Sequence, residues 1–438
     1  MKFQAALLPF LFIALTGYGQ HADPLSRVRT QLLNEDYREV LDLSGDSSLW
    51  AGTDSGDSLR ARMLFYRGTA YRELSVLDSS LQCFVLAVRL DPGNRAYLRA
   101  WGMALQKLGR SREAVAVFEQ LVQTDSTDLK SLADLALLYG QRHETSKSIG
   151  IYRQLLREDS LNYYFLKQAG RNFLELNQGD SALAYFEAAF RQNPGDAYLT
   201  HQIANLYLRK KDLNMALYSI QKGFIYDTSN LDLLKLRGYL WLLSHEYQRA
   251  IWDLEKARLQ DSSSLFILKY LGMSYHEEKQ YEKAREALLG AFKLDTTDAE
   301  TAYFLGSACR WSKFEEDGVT YYRKSIELRQ PDPMDLKNVY IQLAELLKVL
   351  HRFDEALESY RNALEQDPAD NTIYFKIGQV CDQNLHKNKT AIEYYEKYLS
   401  EGRTDQQLFN TSKGSSLPLE KHVRERIATL KQELFMEE

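Results

Sequence analysis

The chain has 438 residues, 45% of them hydrophobic, with a formal net charge of −5 at pH 7. That is too long for one ordinary core, unless the fold grows along an axis so that each unit touches only its neighbours. The small acidic balance argues against a nucleic-acid binder, which needs a basic excess or stripe.

The first element is a leader. Lys2 gives a positive start, Phe3 to Leu15 is uncharged and largely apolar, and small residues stand at Gly17 and Gly19 ahead of Gln20. This layout predicts a secretory signal peptide over residues 1–19, with an uncut N-terminal anchor as the alternative. No Cys lies near the cut, which argues against a bacterial lipid anchor. No later segment reaches the ~18 uninterrupted apolar residues of a membrane span. The expected location is therefore the periplasm or cell envelope, with no transmembrane segment in the mature chain.

Residues 20–60 read as a degenerate helical hairpin ending in Asp36-Tyr37-Arg38-Glu39-Val40-Leu41, followed by a Ser-, Gly- and Asp-rich loop over 44–58. From Ala61 to about residue 404 the chain repeats. Asp91, Asp125, Asp159, Asn193, Asp227, Asp261 and Asp295 succeed one another at intervals of 34. A small residue precedes each by 23: Gly68, Gly102, Ala136, Gly170, Ala204, Gly238 and Gly272, with Gly306, Ala344 and Gly378 beyond. Twelve after the small residue stands another (Ala114, Ala182, Ala216, Ala250, Ala284, Ala356). A ring or large aliphatic comes four later (Phe84, Phe118, Tyr152, Phe186, Tyr322, Tyr360). Apolar residues recur at helical spacing in two blocks split by a short polar turn, so each unit is a helical hairpin. Small residues facing each other let its two helices approach closely. Asp-Pro-Gly-Asn at 91–94 and Asn-Pro-Gly-Asp at 193–196 stop one helix and start the next.

Two irregularities interrupt the register. Four extra residues near Pro331-Asp332-Pro333-Met334 amount to about one helical turn. The tenth unit has one extra residue, which we expect in its turn, Leu385-His386-Lys387-Asn388-Lys389. Residues 403–416 read as a polar linker. The segment 405–438 then closes with a helix from Leu417 to about Phe435, whose Leu419, Val423, Ile427, Leu430 and Leu434 share one face. An open solenoid end needs such a cap; a detachable docking helix is the alternative.

The period and its columns resemble the tetratricopeptide-repeat (TPR) family. Its pattern reads here as Tyr270-Leu271-Gly272, Tyr275, Ala284, Leu288, Ala291, with the closing proline kept at Pro92, Pro194 and Pro368. The resemblance implies an all-α, right-handed solenoid of about ten helix-turn-helix units with terminal helical caps. It also implies a protein-binding scaffold rather than an enzyme.

Catalytic patterns do not appear. His143-Glu144, His245-Glu246 and His276-Glu277 would each need a second His four after the first for a zinc site, and those positions hold Lys147, Arg249 and Gln280. An enzyme using the repeats as a substrate arm is the remote alternative; it would need an added catalytic domain, and only a short stretch follows the repeats. No cofactor or metal is expected. Cys83, Cys309 and Cys381 read as small buried apolar residues, since no CxxC pairs them.

The remaining candidate is a face of the first helices, along which relatives of this fold bind peptides. Its positions hold Arg99, Lys130, Tyr164, Lys167, Arg171, Tyr198, His201, Asn205, Lys235, Tyr239 and Lys269. This basic strip with interleaved Tyr suits an acidic or extended protein segment, with cations meeting carboxylates and rings packing on side chains. A solvated helix face is the plain alternative. A spacer role in an envelope secretion or assembly complex, using the convex face, is the other scaffold reading. Partner identity and oligomeric state do not follow from sequence.

Overall fold

The structure is a computed structural model that describes residues 24–45, 56–329, 333–401 and 419–437. The leader at 1–19, most of the loop at 44–58, Pro331 and Asp332 of the insertion, and the linker at 403–416 lie outside the described residues. The chain divides into two compact units, Met1–Asn193 and Pro194–Glu438.

In the first unit, α1 (Pro24–Leu33) and α2 (Tyr37–Gly45) precede four helix pairs. These are α3 (Gly56–Glu73) with α4 (Leu77–Leu90), α5 (Arg95–Lys107) with α6 (Ser111–Thr124), α7 (Leu129–Gln141) with α8 (Thr145–Glu158), and α9 (Tyr163–Glu175) with α10 (Gly179–Gln192). The second unit opens with α11 (Ala197–Arg209) and α12 (Leu213–Phe224), α13 (Leu231–Leu243) and α14 (Tyr247–Gln260), α15 (Leu265–Glu277) and α16 (Tyr281–Leu294). Then come α17 (Ala299–Trp311) and α18 (Glu315–Leu328), α19 (Pro333–Val349) and α20 (Phe353–Gln366), α21 (Asn371–Gln379) and α22 (Asn388–Glu401), and a last helix α23 (Leu419–Glu437). The described residues are all-α, and within each unit every helix packs on the next in sequence.

The 34-residue ruler has a local cause. Each marker carboxylate or amide except Asp227 ends a second helix, and three residues after every marker a short polar side chain starts the next first helix. Asn94 accepts the backbone N–H groups of Ala96 (3.1 Å) and Tyr97 (3.4 Å). Asp128, Asn162, Asp196, Asn230, Asp298 and Asp370 cap later first helices in the same way. Such caps satisfy amides that the helix leaves without partners.

The small-residue column works by steric allowance. A Cβ on Gly170 would lie 2.6 Å from two ring carbons of Phe186, and one on Gly102 would lie 2.7 Å from the Phe118 ring. In the second unit Leu254 sits on Gly238 and Tyr395 on Gly378 in the same way. Twelve positions after the small residue, the second helix meets its carbonyl. Ser80 Oγ donates to Gly68 O at 2.7 Å, and Ser148 Oγ donates to Ala136 O at 2.6 Å. The rings are then fully enclosed, Phe84, Phe118, Phe186, Tyr322 and Tyr360 all at 0% exposure, each worth roughly 1.5–3 kcal/mol by burial.

Every turn within a pair closes on one residue with left-handed backbone. Ser75, Gly109, His143 and Asn177 take that role in the first unit; Lys211, His245, Lys279, Lys313, His351 and His386 take it in the second. Around Lys279 the amide of Gln280 reaches Tyr275 O (2.8 Å) and that of Lys279 reaches His276 O (2.9 Å). This is a Schellman closure, usually built on glycine.

The extra residue of the tenth pair is not in the turn, contrary to the sequence expectation. His386 keeps the left-handed position but lies eight after Gly378, where Lys279 lies seven after Gly272. The surplus is taken up within the helix, as a π-helical turn over Val380–Asn384. A π turn absorbs one residue without breaking the hydrogen-bond ladder, so the recurring turn geometry survives.

At the C-terminal end, Val423, Ile427 and Leu430 of α23 are buried with Ile373, Ile377, Val380 and Tyr395, and Leu419 and Leu434 pack against them. Val28 and Val40 of the leading hairpin are buried with Met63 and Ala70 of α3.

Candidate functional site

The first helices carry their cations on one face, and the structure shows what those cations touch. In the first unit, Arg99 Nε and Nη2 donate to Asp134 at 3.0 and 2.7 Å. Arg95 donates to Asp125 (2.5 Å) and contacts Asp128 (2.8 Å). In the second unit, Lys269 Nζ lies 2.7 Å from Asp298 and 2.8 Å from Glu300. Lys235 stands 3.6 Å from Asp261, and Lys337 2.8 Å from Asp367. The pattern recurs: a cation on a first helix meets a carboxylate at the end of its own repeat or at the start of the next.

The Lys269–Asp298 pair shifts both of its partners. Burial works against the charge of Lys269, but the hydrogen bonds it donates to Asp298 and Glu300 prevail and hold its pKa above the ordinary value. Burial likewise opposes the charge of Asp298, and Lys269 and Thr301 outweigh it, so its carboxyl lies below the usual range. Arg99 and Lys269 of the basic strip expected from sequence are therefore struts between repeats.

The other predicted residues have varied surroundings. Lys130 is exposed at the start of α7. Tyr164 is exposed, its ring edge-on to Phe165 at 6.0 Å. Lys167 Nζ reaches Tyr163 Oη at 3.3 Å, and Arg171 donates to Gln168 Oε1 at 3.4 Å. Tyr198 is exposed at the start of α11. Half-buried His201 lies 3.1 Å from the Asn205 amide; burial lowers its pKa and Asp232 partly opposes the shift. Tyr239 packs on Tyr270 (4.5 Å) and Phe266 (6.0 Å) rather than standing free.

One of these residues lines a cavity. In the first unit, a space of about 540 Å³ is lined by Phe65, Ala96, Ala100 and Met103 together with Arg72, Arg95, Arg99 and Asp128. Its lining combines apolar side chains with three arginines. Arg99 spends Nε–H and one Nη2–H on Asp134, so its fork keeps donors for another carboxylate. Lys269 differs: its side chain is 15% exposed and its ammonium is divided between two carboxylates. Sequence reading reached Arg99 and missed Phe65, Arg72, Arg95 and Met103. All four sit on the same helical face, the first two in α3 of the preceding repeat, so the register itself could have found them.

A second space, about 560 Å³, lies in the second unit between Asp298, Glu300, Tyr303, Phe304, Arg329, Asn338 and Val339. Among the described residues no group of His, Cys, Asp and Glu is arranged to hold a metal ion. The three cysteines are free and buried; burial, with Asp317 adding to it, pushes the Cys309 thiol up to about 12. No helix among the described residues is long and apolar enough to cross a membrane.

Stacked helical hairpins in 34-residue register, with glycines set under rings, define a repeat protein built to present surface. Family models of the tetratricopeptide repeat match residues 167–222 and 271–298, and a TPR repeat model matches residues 350–384. The chain is a tetratricopeptide-repeat protein, and its repeats form a protein-interaction scaffold. No curated protein matches the sequence. Among solved structures, a TPR protein from Parabacteroides merdae is 18% identical, covering 57% of this chain and 98% of its own, with a TM-score of 0.41. The C-terminal part of a TPR repeat-containing protein from Cytophaga hutchinsonii is 19% identical, covering 54% and 96%, with a TM-score of 0.43. YrrB, a TPR protein with an unusual peptide-binding site, is 17% identical, covering 42% and 95%, with a TM-score of 0.39.

Proposed function

We propose that this protein is a non-enzymatic scaffold of the periplasm or cell envelope that binds an extended segment of a partner on the first-helix face, anchored between α3 and α5. The leader pattern over residues 1–19 supports the location. The cavity lined by Phe65 and Met103 together with Arg72, Arg95 and Arg99 carries the binding reading. It suits a segment in which an acidic side chain lies beside an apolar one. The carboxylate takes the free donors of Arg99, and the apolar side chain displaces water from the apolar lining. A preformed groove lowers the ordering cost of an extended ligand.

The test is cross-linked capture from an envelope fraction, with wild-type protein and Arg99→Glu compared by quantitative mass spectrometry. Losing a hydrogen-bonded charged contact of about 1.5–3 kcal/mol weakens binding roughly 10- to 150-fold. Specific partners should disappear from the Arg99→Glu sample and persist with Lys130→Glu, which lies on the same face outside the cavity. An unchanged partner set for Arg99→Glu, with an unchanged circular dichroism spectrum, would remove the proposal.

A further inference from the structure

The second helices of two adjacent repeats depart from the rest of the second unit. Tyr218, Lys222 and Ile225 in and just after α12 recur 34 positions later as Trp252, Lys256 and Leu259 in α14. Spacings of four and three put each trio on one helical face. That face is outward: Tyr218 is 50% exposed, Ile225 76%, Trp252 52% and Leu259 87%, with Tyr226 beside them at 62%.

Later repeats of the same unit treat these positions as solvent. The aromatic column continues as Glu286, Thr320 and Glu358, and the aliphatic column as Lys293, Glu327 and Glu365. A single exposed apolar residue is ordinary. Paired rows of them, confined to two neighbouring repeats, mark a contact surface. Gln260, next to Leu259, donates to Ser229 O at 2.8 Å. This bond ties the end of α14 to the turn just after Ile225 and Tyr226, so the two rows converge there.

Charge selects the occupant. Lys222 Nζ lies 4.5 Å from the Tyr218 ring centre, and Lys256 Nζ lies 3.5 Å from that of Trp252. Among the described residues no carboxylate pairs with either ammonium. Two carboxylates of α14 are already used. Glu255 accepts the Tyr275 hydroxyl and pairs with Arg258 at 2.9 Å, and buried Asp253 pairs with Arg237 at 2.6 Å. Two rings, two protruding aliphatic side chains and two cations without counter-charge complement an apolar stripe flanked by acid.

We propose that the α12–α14 outer face is a docking surface for an acidic amphipathic helix of a partner protein, separate from the α3–α5 cavity. Tyr218, Trp252, Ile225 and Leu259 take the helix's apolar stripe, and Lys222 and Lys256 take its flanking carboxylates.

The experiment is selection of displayed helical peptides of about four turns on the full chain and on Lys222→Glu/Lys256→Glu. Because these positions are exposed, the variant should match wild type in circular dichroism and melting. Wild-type protein should enrich peptides with aliphatic residues at three- and four-residue spacing flanked by Asp or Glu. Their affinity should fall at least about tenfold on the double variant and on Leu259→Asp, and stay unchanged on Arg99→Glu. Four results overturn the proposal: no enrichment of amphipathic peptides, enrichment without acidic flanks, equal affinity for the double variant, or sedimentation showing self-association that Leu259→Asp abolishes. Binding to phosphatidylglycerol vesicles, lost in Lys222→Glu/Lys256→Glu without any peptide enrichment, would reassign the face to a lipid surface.

Discussion

Arg426 of α23 grips Asp382 of the π-helical turn with both arms of its guanidinium, at 2.6 and 2.9 Å, and Tyr395 donates to the same carboxylate at 3.2 Å. Asp382 is 3% exposed. The irregular turn and the closing helix are thus one device: the surplus residue that makes the π turn sits beside the carboxylate that holds α23.

Cutting that contact on one side should be costly. Arg426→Met leaves Asp382 buried without its cation; breaking one side of a fully buried pair costs roughly 3–5 kcal/mol, and because the Arg426 side chain is 36% exposed the loss should fall at or below the lower end of that range. Pairing it with Asp382→Leu should restore much of the loss, since an apolar pair needs no counter-charge. Urea unfolding monitored by circular dichroism, with limited proteolysis of α23, measures both. Equal stability of Arg426→Met and wild type would show that the apolar face of α23 suffices.

The glycine column makes a steric prediction. Gly170→Val puts a branched side chain where even a Cβ would lie 2.6 Å from the Phe186 ring. Overpacking of this kind costs about 1–3 kcal/mol, and thermal melting should show it. Gly150→Val is the control, because a Cβ there meets nothing within 4 Å. It should change stability by less than about 1 kcal/mol.

The left-handed turn residues offer stabilisation. Lys279 holds positive φ at a position glycine tolerates without strain. The left-handed conformation costs a non-glycine residue about 1–2 kcal/mol, partly offset by the greater freedom glycine brings to the unfolded chain. Lys279→Gly should raise stability by about 0.5–1 kcal/mol, and Lys279→Val should lower it by more, both read from melting midpoints.

Acid should loosen the second unit through Glu345. Burial opposes its charge, but Lys376 and Tyr360 outweigh it and bring its pKa from 4.5 to about 2. A carboxyl depressed on folding stabilises fully above its unfolded pKa and loses that contribution as pH falls to the folded value. The window is therefore pH 4.5 down to about 2, and the contribution above it is on the order of 3 kcal/mol. Glu345→Gln should flatten stability against pH across that window. An unchanged slope would place the acid sensitivity elsewhere, among the depressed Asp298 and Asp367 carboxyls.

Sequence by itself determined the period, the helical hairpins and the positions of caps and glycines, because these depend on neighbours within one repeat. Asn94 caps the helix that begins at Arg95, and Gly170 answers to Phe186 sixteen residues on, so a one-dimensional ruler reads both. Only the tertiary structure decided what the strip of cations does. Arg99 meets Asp134 and Lys269 meets Asp298 across the boundary between repeats, distances the ruler does not measure, so residues that read as ligand-ready proved to be bonded within the chain. The α3–α5 cavity and the π turn beneath α23 have the same origin. Each arises where two repeats, or a repeat and its closing helix, come together, and side-chain packing there is settled by contact rather than by spacing.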